Sequence, residues 1–177
     1  MSLVVTEDRD AVRHVILARP EKRNAMNGEL VQALGVALKG AANDPDVRCV
    51  VIRGEGPMFS SGMDFSNLVG LSEAPENLRA FRREILETWN LCEEMAKPTV
   101  CSVHGACIGG ALELALACDL RVAAEDALLG LPETRVGLIP DVGGSSRLPA
   151  VVGLGRAKEL IMTSRLVDGR EAERIGL

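Results

Sequence analysis

Apolar residues along this chain follow two rhythms. Short runs rich in Val and Ile, each bounded by polar or turn residues, occur at Val12 to Ala18, Val47 to Arg53, Thr99 to Val103 and Leu120 to Ala124. Runs of this length and make-up predict buried strands. Between them apolar positions recur every three or four residues. Leu30, Leu34, Ala37, Leu38 and Ala41 form one such stripe, with Asn27 placed to cap its start and Asp44-Pro45 to end it. A second stripe follows Pro75, a good first-turn residue, and aligns Leu78, Phe81, Ile85, Trp89 and Cys92 until Lys97-Pro98 breaks it; its opposite face is charged. The last forty residues hold a Gly-rich turn, a helix around Arg156 to Met162, and a helix start at Asp168 before Glu171 to Ile175.

Strands alternating with helices predict an α/β layered fold. The 177 residues fit one domain, residues 1–177, with a substantial core. The chain stops at Gly176-Leu177 straight after a helix, without a polar tail, which reads as a domain interrupted at its C-terminal side.

Composition narrows the function. Three Phe, one Trp and no Tyr leave little for stacking nucleic-acid bases, and a formal charge of -5 argues against phosphate backbones as partners. The most apolar stretch, residues 105 to 124, carries Glu113, Asp119 and Arg121, whereas a spanning helix needs about 20 nearly uncharged residues. No membrane span is expected. Five cysteines without a CxxC pair, and no export signal at the amino terminus, point to a reducing, cytoplasmic setting.

Three stretches are candidates for chemistry. In FSSGMDF, residues 59 to 65, small residues let backbone amides approach a ligand, although a surface turn has the same look. In HGACIGGALELALACDLRVAA, residues 104 to 124, Glu113 lies three positions after Gly110, on the same side of the first helical turn as the Gly110 amide. An acid there interacts favourably with the helix dipole in many ordinary helices, by about 0.3–1 kcal/mol. Here, however, Leu112, Leu114, Ala115, Leu116 and Ala117 surround it, and a carboxylate without a polar face needs a partner or a task. The third stretch, residues 131 to 149, carries Glu133 and Asp141 among glycines and prolines; locally the first reads equally as a surface charge and the second as a turn former after Pro140. His104 lacks a GxSxG elbow and reads as a strand-end histidine satisfied by backbone, and no His/Cys spacing suggests a metal.

Taken together, RPEKRNAMN at 19 to 27, GEGPMFSSGMDF at 54 to 65, residues 97 to 149 and GREAERIGL at the end resemble the enoyl-CoA hydratase/isomerase (crotonase) family over essentially the whole chain. The resemblance implies the ClpP/crotonase fold, a spiral of β-β-α units. It further implies an oxyanion hole from the backbone amides of Met63 and Gly110, which would hold the thioester carbonyl of an acyl-CoA. Glu113 and Glu133 fall on the family's two catalytic glutamates. Their proximity should raise one pKa, leaving one acid and one base near neutrality. The coenzyme A portion would contact Lys22, Arg23, Ala25, Asp64 and Phe65.

The resemblance implies no separate cofactor, because coenzyme A arrives with the substrate, and a homotrimer or hexamer for the full-length enzyme. Reversible hydration of a trans-2-enoyl-CoA comes first among the activities. Asp141, in a PDVG resembling that of the Δ3,5-Δ2,4-dienoyl-CoA isomerases, makes isomerisation the alternative. A non-catalytic acyl-CoA binder or assembly subunit is a third possibility. Acyl-chain length would be set by packing across Leu68 to Leu86 and by further helices.

Overall fold

The computed structural model describes residues 2–66 and 75–177. Five strands form one sheet in the order β1 (Val4–Arg9), β2 (Val12–Leu17), β3 (Cys49–Gly54), β4 (Thr99–Val103) and β6 (Leu120–Ala123). β1 and β2 are an antiparallel hairpin, and every other neighbour is parallel. A second, two-stranded parallel sheet pairs β5 (Ala106–Ile108) with β7 (Leu128–Gly130). Between them β5 and the chain before it extend this layer: Ser60 bridges Cys107, and on the other side Leu129 bridges Val167.

The repeat is thus a strand in the large sheet, a turn, and a short strand in the second layer. β3 leads to Phe59-Ser60, β4 to β5, and β6 to β7. Helices α1 (Gly28–Asn43), α2 (Pro75–Glu94) and α3 (Gly110–Ala117) separate the strands of the large sheet, and α4 (Gly144–Val152), α5 (Leu154–Thr163) and α6 (Gly169–Ile175) follow. This is the β-β-α spiral that the resemblance implied. Leu30, Leu34 and Leu38 of α1 and Trp89 of α2 are wholly buried in the core. Asn27 caps α1 by accepting from the Leu30 amide, and Asp168 caps α6 by accepting from that of Glu171. His104 is satisfied by the Gly56 carbonyl at 2.9 Å, as its strand-end position suggested.

Two expectations are corrected, and the division of a third stretch becomes visible. Leu120 to Ala124 is not a buried strand: β6 is the edge of its sheet, and Leu120 and Val122 point outward, 60% and 62% exposed. The Gly-rich stretch at 143–144 is not only a turn, because α4 starts at Gly144 and runs through Pro149. The apolar stretch 105–124 breaks into β5, the eight-residue α3 and β6, divided by Gly109 at φ 57°, ψ -127°, a conformation open essentially to glycine alone.

Candidate functional site

One wall of the site is built by the turn around Asn24. Arg23 and Asn24 both adopt the left-handed conformation, at φ 54° and 52°. Asn24 is fully buried there, and its side-chain amide donates to the carbonyls of Glu55, Met58 and Phe59 while its oxygen accepts from the Arg19 amide. These bonds tie residues 19–26 to residues 55–63. The Met26 amide donates to the Gly62 carbonyl and that of Asp64 to the Met26 carbonyl, so Met63 is held from both sides.

Gly62 and Met63 in turn press against the start of α3. A Cβ on Gly62 would lie 3.6 Å from the Gly110 nitrogen, and one on Gly110 would lie 2.9 Å from the Met63 side chain. Only glycines allow this approach. Among the described residues, neither the Met63 nor the Gly110 amide donates a hydrogen bond. Both residues line a cleft of about 470 Å³, with an apolar wall from Leu78, Phe81, Ile85, Leu138 and Ile139.

Two glutamates line the same cleft. Glu113, on α3, is only 3% exposed. Its Oε1 accepts from the amides of Val142 and Gly144, at 3.0 and 2.8 Å. The helix that serves this acid is therefore α4, whereas the local sequence reading assigned it to the start of its own helix. Glu133, in the 3-10 turn Glu133–Val136, sends Oε1 toward Gly109, where an added Cβ would lie 2.8 Å away. Its Oε2 is buried without a hydrogen-bond partner among the described residues.

Burial pushes the Glu113 carboxyl up to about 8; the Gly144 amide opposes this, repulsion from Glu133 adds to it, the Val142 amide opposes it, and Asp141 adds a little. Glu133 is also raised, chiefly by burial, against its own backbone amide and with a contribution from Asp141. Both acids are therefore shifted, and removal from water outweighs the mutual repulsion expected from their proximity.

A raised carboxyl is a linkage statement. Folded protein holds on Glu113 a proton that the unfolded chain releases above its ordinary 4.5, so the associated stability is complete below that pH and is lost as pH rises toward 8. Glu113→Gln keeps an oxygen for the two amides and removes the titration. Relative to this variant, wild type should lose up to about 1.4 kcal/mol per pH unit between roughly pH 5 and 8. Denaturant midpoints at a series of pH values check this, and parallel curves would contradict it.

Of the residues named from the sequence, Met63, Phe65, Gly110, Glu113, Glu133 and Asp141 all line the cleft. Lys22 and Arg23 sit on the exposed turn beside it, and the Ala25 carbonyl accepts from Arg19. The Asp64 carboxylate is engaged by Ser66 and Arg19, which hold it down at about 2. Asp141 is also paired: Arg82 of α2 donates to its Oδ2 at 2.5 Å and to its carbonyl at 2.8 Å. Of the span from Leu68 to Leu86, residues 68–74 lie outside the described residues. Arg19, Asn24, Arg82 and Arg147 were not singled out as site residues. Asn24 in a turn was the one readable signal, since Asn tolerates the left-handed conformation.

The profile of the enoyl-CoA hydratase/isomerase family matches residues 7–177. Human mitochondrial methylglutaconyl-CoA hydratase is 38% identical over 97% of this chain and 53% of its own length. The Bacillus subtilis enoyl-CoA hydratase/isomerase homologue YngF is 37% identical over 99% of this chain and 67% of its own. Among solved structures, enoyl-CoA hydratase from Bacillus anthracis superposes with a TM-score of 0.93 at 35% identity, covering 98% of this chain and 67% of that one. The enoyl-CoA hydratase of Thermoplasma volcanium gives 0.94 at 35%, covering 99% and 70%. The chain thus spans between about half and two thirds of the curated relatives it matches.

Proposed function

Because the chain belongs to the enoyl-CoA hydratase/isomerase family, we propose that it carries out reversible syn addition of water to a trans-2-enoyl-CoA. The observation that carries this reading is the meeting, in one apolar cleft, of a buried and a half-buried glutamate, both with raised pKa, and two undonated backbone amides. The substrate carbonyl oxygen accepts from the amides of Met63 and Gly110, and these donors favour the enolate over the neutral thioester by about 3–4 kcal/mol each.

The pair shares one proton; it rests mainly on Glu113, and hydration proceeds from the state of the pair that carries it on Glu133. Glu113, fixed by two amides through Oε1, orients a water and accepts its proton as the oxygen bonds to C3. Glu133, whose Oε2 has no other partner, delivers its own proton to C2. The C2–C3 double bond is consumed, and the shared proton has moved from Glu133 to Glu113 with no change in the pair's total. No electrons are gained or lost, so the chemistry requires no cofactor beyond the coenzyme A of the substrate.

In this reading Lys22 and Arg23, both exposed, contact its phosphates, Phe65 contacts it at the edge of the cleft, and Ala25 and Asp64 complete that wall. The same reading carries a homotrimeric or hexameric assembly and a cytoplasmic setting, the latter supported by five free thiols. Among the described residues no helix is long and apolar enough to cross a membrane.

Double-bond isomerisation stands second, on one observation: Asp141 lines the same cleft. Its engagement by Arg82 favours hydration. Offered separately, crotonyl-CoA should lose its enone absorbance faster than a 3,5-dienoyl-CoA rearranges. The reverse ranking, with rearrangement lost in Asp141→Asn, would give the isomerase; crotonyl-CoA binding without turnover would leave a non-catalytic binder.

A further inference from the structure

The two amides that hold Glu113 sit where a short irregular segment, residues 141–143, runs into the first residue of α4, Gly144. A segment of this kind has no ladder of its own to fix it. Two arginines tie it to α2. Arg82 reaches out from α2 and binds Asp141 twice, through the side-chain oxygen and through the carbonyl. Arg147, on α4, donates to the Val142 carbonyl, and its other nitrogens are held by Asn90 and Glu93 of α2. Successive residues are thus clamped from one helix, and the next amides point at Glu113.

Building on the hydratase reading, we infer that Arg82 is a positioning residue for hydration: by anchoring Asp141 it fixes the Val142 and Gly144 amides, and through them the carboxylate of Glu113. Asp141 then serves as the anchor point for Arg82. Arg82 is half exposed, with 48% of its side chain accessible, so its value lies in two directed bonds to one residue; the Coulomb attraction of an exposed pair contributes little. The charged groups that face Glu113 are Glu133 from the 3-10 turn, Asp141 from the segment and Arg147 from α4. Loosening the segment weakens two donors to the anionic carboxylate, which raises its affinity for a proton.

Arg82→Ala tests this, because an exposed position tolerates the change. Exchange of the Val142 and Gly144 amides, followed by NMR, should speed up at least tenfold. On crotonyl-CoA, kcat should fall about 10- to 100-fold with KM unchanged, since a small misplacement of a reacting group costs that much, and the acid limb of the kcat profile should move to higher pH. Arg82→Lys, which keeps one donor, should recover part of each effect. In the doubly substituted Arg82→Ala, Asp141→Ala protein the losses should not add. Unchanged exchange in Arg82→Ala overturns the inference whatever the activity. So does a raised KM at unchanged kcat, which would make Arg82 a substrate contact. Should wild type fail to turn over crotonyl-CoA, the hydratase reading falls, and amide exchange still decides the clamp.

Discussion

Glu133→Gln should lower kcat for crotonyl-CoA hydration by about a thousandfold while acyl-CoA binding stays within a few-fold of wild type. Proton transfer by a positioned side chain contributes about 10²–10⁴ in rate. Glutamine fills the same volume but carries no transferable proton. The Glu133 carboxylate also makes few bonds to the rest of the protein: Oε2 has no partner among the described residues, and Oε1 faces the Cα of Gly109. Little structure therefore depends on it. Because burial already disfavours its charged form, removing the charge should leave the melting temperature at pH 8 unchanged or higher. Calorimetry and kcat on the same preparation check both halves. Equal activity in the variant would contradict the assigned role.

Gly109→Ala should cost about a hundredfold in kcat with both glutamates intact. The added methyl would sit 2.8 Å from Glu133 Oε1 and 3.6 Å from its carboxyl carbon, so the carboxylate must shift. The backbone itself resists, since φ 57° with ψ -127° strains any residue bearing a Cβ by about 1–3 kcal/mol. Relief of that strain tilts the first turn of α3 and with it the Gly110 amide. Displacements of this size are what proximity effects punish in rate more than in affinity. Melting temperature and kcat distinguish the two costs, and wild-type kcat in the folded variant would show that Gly109 does not shape the site.

The folding pattern is legible wherever a local rule decides it. Asn27 and Asp168 cap as their residue types suggest, and the stripes of α1 and α2 bury the face their spacing marks, save for Leu78 at the cleft. Legibility fails where long-range contacts decide. β5 and β7 have three residues each, too few to show a period, and they exist because Ser60, Cys107, Leu129 and Val167 stack into one layer. The stretch Gly143-Gly144-Ser145-Ser146 with Pro149 carries every mark of a loop, yet it forms a helix because its first amides have an acid to serve.

The site divides in the same way. Glycine next to an isolated acid marks Gly110 and Glu113 locally, and the register of Glu133 with the glycine turns comes from the resemblance. The partners of Glu113 lie 29 and 31 positions further on, and Arg82 binds a residue 59 positions away. No spacing rule reaches so far. On a charged helix face, Arg82 looks like every other solvated cation of α2.

The central claim is that Met63 and Gly110 hold an enolate while Glu113 and Glu133 move protons at C2 and from water. Incubation of crotonyl-CoA with the protein in D₂O, followed by NMR of the 3-hydroxybutyryl-CoA formed, tests it most directly. One deuterium should enter at C2, on the same face as the new hydroxyl. A folded protein that binds crotonyl-CoA yet yields no product and no deuterium at C2 would contradict it.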